Sequence, residues 1–166
     1  MTDLSEVHPN IFISSVETAF QYKQLKDKGI THIINLSGFN NGYPPILRAE
    51  SPDIRSSSSA PRSMNGGYPE NFNYLRIDID DLETENISQY FPLTTEFIHN
   101  ALDSGGKVLV HCIAGISRSP TIVIAYLISK LYYTPQIALK KLREIRPIIN
   151  PNDGFRKQLI EFSVKY

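Results

Sequence analysis

Apolar residues recur along this chain with the two periods that separate strands from helices. Ile11-Phe12-Ile13 is a short run suited to an edge strand. Glu17 to Lys28 takes helical spacing through Phe20 and Leu25, and Gly29 stands where a helix end favours a left-handed residue. Thr31-His32-Ile33-Ile34-Asn35-Leu36 is β-branched and apolar, as a central strand would be, and Tyr74 to Ile79 alternates as the next strand.

The second half is more regular. Ser88 is placed to cap a helix from Gln89 to Asp103 that buries Phe91, Phe97, Ile98, Ala101 and Leu102, with Gly105-Gly106 stopping it. Lys107-Val108-Leu109-Val110-His111 reads as a short buried strand. Ser119-Pro120 opens a helix that is apolar on nearly every side from Ile122 to Ile128, so protein is expected all round it. Thr134-Pro135 is a cap followed by proline at the first helical position, leading a helix to about Arg146; Asn152 starts a last helix carrying Phe155, Leu159 and Phe162. Strands interleaved with helices predict an α/β layered domain, a central mixed sheet flanked by helices. One domain over residues 1–166 is expected.

Ser37 to Asn73 breaks the pattern. Of its 37 residues, 21 are Gly, Pro, Ser or Asn, including Ser56-Ser57-Ser58-Ser59. So polar a stretch buries too little surface to offset its ordering entropy. It is expected to be an insertion, ordered near its ends and mobile around Arg55 to Asn65.

Charge narrows the partners. Seventeen basic residues balance seventeen acidic ones, so no overall field gathers nucleic acid or an anionic membrane, and attraction for phosphate must be local. The single cysteine forms no internal disulfide and no four-cysteine zinc site. Met1-Thr2-Asp3-Leu4 lacks signal-peptide regions, and the longest apolar run, Ile122 to Ile128, is too short to span a bilayer. A soluble cytoplasmic protein is expected, with nuclear access permitted, acting as a monomer without nucleic acid, membrane, metal or cofactor.

That local attraction has one evident place. Between the predicted strand ending at His111 and the predicted helix opening at Ser119-Pro120 runs Cys112-Ile113-Ala114-Gly115-Ile116-Ser117-Arg118. A strand-to-helix junction aims free amides and the positive end of the helix dipole at one spot. A loop curled round that spot turns the amides of Ile113, Ala114, Gly115, Ile116, Ser117 and Arg118 inward, and Gly115 supplies the backbone freedom for the curl. Cys112 would face this nest, whose amides and dipole favour thiolate over thiol. Arg118 would return over it and grip two phosphate oxygens with its planar fork. A lone cysteine beside a strand is ordinarily an inert buried thiol; its spacing to Arg118 at this junction is what points to phosphoryl chemistry. A proton donor is also needed, and Asp78, Asp80, Asp81 and Glu83, at or just beyond the end of a strand, are the candidates.

Cys112 to Arg118 matches the Cys-x5-Arg signature of the protein tyrosine phosphatase superfamily. The wider string His111 to Thr121, together with Gly29 to Asn35, Arg146-Pro147 and Pro151 to Phe155, resembles its dual-specificity branch, in particular the small atypical members. The resemblance covers most of the chain outside the insertion. It implies the layered fold of that family and hydrolysis of phosphotyrosine and phosphoserine/threonine through a phosphocysteine. It also implies Cys112 as nucleophile, Arg118 as clamp, Ser119 as a hydroxyl assisting breakdown of the intermediate, and Asp81 as general acid with Asp80 as runner-up. His111 would be a supporting neighbour of the cysteine. Asn152 matches an asparagine bracing the phosphate loop, a position that equally suits a helix cap. Uncharged Ile113, Ala114 and Ile116 disfavour a phosphoinositide, so a phosphorylated protein is the expected partner. The rival is a catalytically weak phosphoprotein-binding module of the same fold. Loss of the nucleophile usually marks such modules, yet Cys112, Arg118 and Asp81 are all here.

Overall fold

The computed structural model describes residues 3–39, 47–48 and 72–166. Among the described residues, six strands and six α-helices follow in the order β1 Ser5–His8, β2 Ile11–Ser14, α1 Val16–Ala19, α2 Tyr22–Asp27, β3 His32–Asn35, β4 Leu47–Arg48, β5 Asn73–Asp78, α3 Phe91–Asp103, β6 Val108–His111, α4 Arg118–Leu131, α5 Pro135–Ile145 and α6 Asp153–Ser163. The strands form one sheet in the order β1-β2-β6-β3-β5-β4. Only β1 runs antiparallel to its neighbour; every other pairing is parallel.

Period-2 alternation sorts the sheet into two faces. Ile11, Ile13, Ile34, Leu75, Ile77, Val108 and Val110 join the core under α3, α4, α5 and α6. Phe12, Ile33, Tyr74 and Leu109 join a second cluster with Ala19 and Leu25 of α1 and α2. Because the parallel strands are covered on both faces, they read as unbroken apolar runs. Helix α4 is buried at every position from Arg118 to Ile128, as its all-round apolar sequence requires.

Several local expectations change. Ile11–Ser14 is not an edge strand but lies second, fully buried, because Ser5–His8 folds back outside it through a turn at Asn10 (φ 65°). That outer strand alternates over too few residues to stand out in the sequence. The helix expected from Glu17 to Lys28 breaks at Phe20-Gln21, where tighter turns bond Phe20 N–H to Glu17 O and Gln21 N–H to Thr18 O. Ser88 does not cap α3: a 3-10 turn, Ile87–Tyr90, intervenes, and Pro92 marks the helix start. Helix α4 begins at Arg118, one residue before the expected serine. In the polar stretch, Leu47–Arg48 pairs with Ile77–Asp78, and the expectation of mobility around Arg55 to Asn65 falls outside the described residues. No described helix is long and apolar enough to cross a membrane.

Register places the site. Ser14, Asn35 and His111 are aligned across β2, β3 and β6, and Asn35 pairs with Arg76 of β5, so the parallel strands end together. Ligand sites of such sheets lie beyond these carboxyl ends.

Candidate active site

Residues 112–117 link β6 to α4 as a loop in which every carbonyl has a protein hydrogen-bond partner. Val16 N–H donates to Ile113 O (2.8 Å), Asn150 N–H to Ile116 O (2.8 Å), and Thr121 N–H to Ser117 O (3.1 Å). Arg146 holds Gly115 O through Nε (3.0 Å) and Ala114 O through Nη2 (3.1 Å). His111 Nδ1 lies 3.2 Å from Cys112 O; a carbonyl only accepts, so this nitrogen carries the proton. Among the described residues, the amides from Ile113 to Arg118 find no protein acceptor. With the carbonyls engaged and the amides unpartnered, the loop has free N–H donors for an anion at the N-terminal end of a 14-residue helix. Gly115 makes this possible. Its φ is 69°, and a Cβ there would lie 2.7 Å from both Arg146 Nη2 and Ser14 O.

Cys112 follows β6 directly, at 3% exposure. Its Sγ is 3.3 Å from Ser119 Oγ in the first turn of α4, within hydrogen-bond reach. Arg118, at 7% exposure, is drawn inward: Nη1 donates to Leu36 O (2.9 Å) beyond β3 and to Ile79 O (3.0 Å) beyond β5. Its Nε is buried and has no partner among the described residues. A buried guanidinium fixed along one edge, with a donor unsatisfied on another, suits a bidentate anion.

Asp81 lies exposed in the loop after β5. Asn152 Nδ2 donates to its Oδ1 at 2.9 Å. The same asparagine caps α6, its Oδ1 accepting from Phe155 N–H at 2.8 Å, and its main-chain N–H donates to Ser117 Oγ at 3.0 Å. Asn152 thus caps α6 with its side chain while its main chain contacts the loop. Asp81, Asn152 and the rim of the loop form one continuous set of contacts. Asp80 is also exposed, and its main-chain N–H donates to Glu85 Oε1 at 3.1 Å within the same loop.

Two contributors were not read from the sequence. Arg146, beyond its two loop carbonyls, binds Asp3 O (2.8 Å), Ser5 Oγ (3.0 Å) and Asp3 Oδ1 (2.8 Å). Burial works against the Asp3 charge, but hydrogen bonds from Ser15, Thr18 and Arg146 outweigh it and hold the carboxyl at about 2. Arg76 is buried in β5, donates to Phe39 O (3.4 Å), and raises the local potential at His111. Arg146 enters the sequence reading only as a helix end and within the Arg146-Pro147 resemblance, with no role attached, and nothing in the spacing of Arg76 marks it. Among the described residues, no three His, Cys, Asp or Glu side chains gather as a metal site.

His111 is wholly buried, and that burial pulls its imidazole from 6.5 to about 4, the Cys112 carbonyl opposing and Arg76 and Arg118 adding. It is therefore neutral at physiological pH and contributes no cation beside the sulfur. The depressed value has a consequence for stability. Between pH 6.5 and 4 the unfolded chain binds the proton and the folded one does not, so stability is full above that window and declines through it. His8 and His32 are lowered in the same direction; Asp3, held at about 2, acts only at lower pH. His111→Asn, which keeps a donor near the Nδ1 position, should lose less unfolding free energy from pH 7 to 4 than the wild type, by on the order of 3 kcal/mol. Urea melts at each pH measure this, and parallel curves would contradict it.

Comparison with known proteins agrees with this geometry. The family described as "Dual specificity phosphatase, catalytic domain" matches residues 11–165. Dual specificity protein phosphatase 22-A of Danio rerio is 32% identical over 98% of this chain, and the serine/threonine/tyrosine-interacting protein of Mus musculus is 37% identical over 99%. The chain spans 66% of the length of each. Among solved structures, the human tyrosine phosphatase-like serine/threonine/tyrosine-interacting protein superposes with a TM-score of 0.75 at 37% identity, covering 98% of this chain and 97% of that one. DUSP15 superposes at 0.77 with 32% identity, covering 96% and 86%. The mixed sheet, its flanking helices and the loop between β6 and α4 are thus those of a known fold, and this chain belongs to the dual specificity phosphatase catalytic-domain family.

Proposed function

We propose that the chain hydrolyses phosphate monoesters on proteins, both phosphotyrosine and phosphoserine/threonine, through a phosphocysteine. The observation that carries this reading is the loop itself. Its carbonyls are all engaged by protein donors, while six amides and the Arg118 Nε have no partner among the described residues, beside Cys112 and Ser119.

The phosphoryl group sits in the amide nest with Arg118 gripping two of its oxygens. The Cys112 thiolate attacks phosphorus in line; the S–P bond forms as the ester P–O bond breaks, and the leaving oxygen takes the proton of Asp81. Water then attacks the phosphocysteine, giving a proton to the Asp81 carboxylate, while the Ser119 hydroxyl donates to the departing sulfur. Amides and guanidinium meet the transition-state charge, so the reading calls on no metal or cofactor. His111 supports the Cys112 carbonyl from behind. The partner is a phosphorylated protein, met by a monomer in the cytoplasm.

Turnover of p-nitrophenyl phosphate and of phosphopeptides tests this. Arg118→Lys keeps the charge but loses the fork and its two carbonyl anchors, and should lower kcat/KM by roughly 10²–10³-fold. Undiminished activity in that variant would contradict the assigned clamp. Likeness to a relative named an interacting protein favours a second reading, a module that binds phosphoproteins without turnover. Phosphopeptide binding with no hydrolysis by the unmodified protein would select it.

A further inference from the structure

The proposed acid sits on an exposed loop, yet proton donation requires placement to within about an ångström. Helix α6 supplies three successive supports for that loop. Asn152 Nδ2 holds Asp81 Oδ1 at 2.9 Å. Gly154 lets the main chain of Glu83 lie directly on the helix: a Cβ there would meet the Glu83 carbonyl oxygen at 2.1 Å and its Cα at 2.7 Å. Gln158 closes the loop's far end, donating Nε2 to Glu85 O (2.9 Å) and accepting Ser88 N–H at Oε1 (3.0 Å). Positions 152, 154 and 158 thus meet 81, 83, 85 and 88 in order, so the loop is laid along the helix rather than touching it once.

We propose that the N-terminal turns of α6 are the dock of the acid loop, with Asn152, Gly154 and Gln158 as positioning residues that present Asp81 to the leaving oxygen. The inference rests on the phosphatase reading above. It also accounts for Gly154, whose lack of a side chain serves close approach rather than a turn. Through Asn152, whose main-chain N–H holds Ser117, the dock is joined to the phosphate loop, so acid and nest share one support.

Asn152→Ser tests it, because serine retains the helix-capping acceptor and removes only the amide donor to Asp81. Gln158→Ala is the second variant, removing the far support without touching the cap. A positioning fault should reduce kcat in proportion to the need for a proton. The loss should be smallest with p-nitrophenyl phosphate and roughly ten- to a hundredfold with an alkyl phosphate such as a phosphothreonine peptide, KM changing little. Added to Asp81→Asn, neither substitution should lower the rate further. Amide exchange over residues 80–88 should quicken in both variants while the rest of the protein is unchanged. A loss equal for all leaving groups, a loss additive with Asp81→Asn, or unaltered exchange would each overturn the proposal. Should the unmodified protein turn over no substrate, the phosphatase reading fails, and exchange over 80–88 still decides whether α6 holds this loop.

Discussion

Cys112→Ser will leave a folded protein that binds phosphate monoesters and does not cleave them, with kcat reduced by at least about 10⁴-fold. The size of the effect follows from the surroundings of the sulfur. In the proposed reaction the nest, Arg118 and Asp81 bind and orient the ester but form no bond to phosphorus, whereas the sulfur does. A serine hydroxyl of similar size makes the same packing contacts at the end of β6, and Ser119 Oγ, 3.3 Å from Sγ, stays available as a neighbour. Among the described residues no histidine or carboxylate is hydrogen-bonded at the sulfur position, so none is placed to activate that hydroxyl as a nucleophile. The expected result is therefore a separation: calorimetric affinity for a phosphopeptide close to that of the wild type, with hydrolysis at background. Residual turnover within tenfold of the wild type would place the nucleophile elsewhere.

The second large effect falls on a residue remote from the chemistry. Arg146→Ala should destabilise the protein by on the order of 3 kcal/mol and lower kcat/KM by roughly 10²–10³-fold, although Arg146 touches no substrate in the proposed reaction. It is 5% exposed and makes five hydrogen bonds. Its ion pair with Asp3 is not the main term, since the Asp3 side chain is 38% exposed and solvent screens the pair. What matters more is the pair of carbonyls at Ala114 and Gly115. Once released they lose charge-assisted partners, and a peptide flip at either position turns an oxygen into the nest in place of an amide. An anion site with one dipole reversed repels what it should hold. Arg146→Lys, with charge but no fork, should fall between wild type and alanine. Urea denaturation and steady-state kinetics on the same samples check this. Loss of stability with kinetics unchanged would show that the loop keeps its shape without the arginine.

These two residues also show where the sequence is legible and where it is not. Cys112, Gly115, Arg118 and Ser119 lie within eight consecutive residues at a strand-to-helix junction, so their geometry is local and spacing alone suggests it. Asp81 is singled out of its acidic cluster by the resemblance alone, and its role as acid is part of the proposal. The Asn152–Asp81 bond crosses 71 positions, the Arg146–Gly115 bond 31 and the Arg146–Asp3 pair 143, and no periodicity encodes such distances. Arg118 was expected to reach over the loop; that it is anchored on Leu36 O and Ile79 O depends on strands that meet only in the folded sheet. The same reasoning explains the errors in elements. Ser5–His8 is a strand because β2 offers it an edge, and the helix expected across Phe20 breaks because two short helices pack on the sheet where one straight one was anticipated. Long, strongly patterned pieces such as α4, α5 and α6 were placed correctly, because burial on a helical period is itself a local property of the chain.

The central claim is that phosphorus becomes bonded to one sulfur. Mixing the protein with a phosphopeptide, quenching in acid within a turnover, and reading the Cys112 peptide by mass spectrometry examines that bond itself. A single phosphoryl group on Cys112, appearing no more slowly than product and absent from Cys112→Ser, is the predicted result. Steady turnover with Cys112 unmodified throughout, or the phosphoryl group on another side chain, would contradict it.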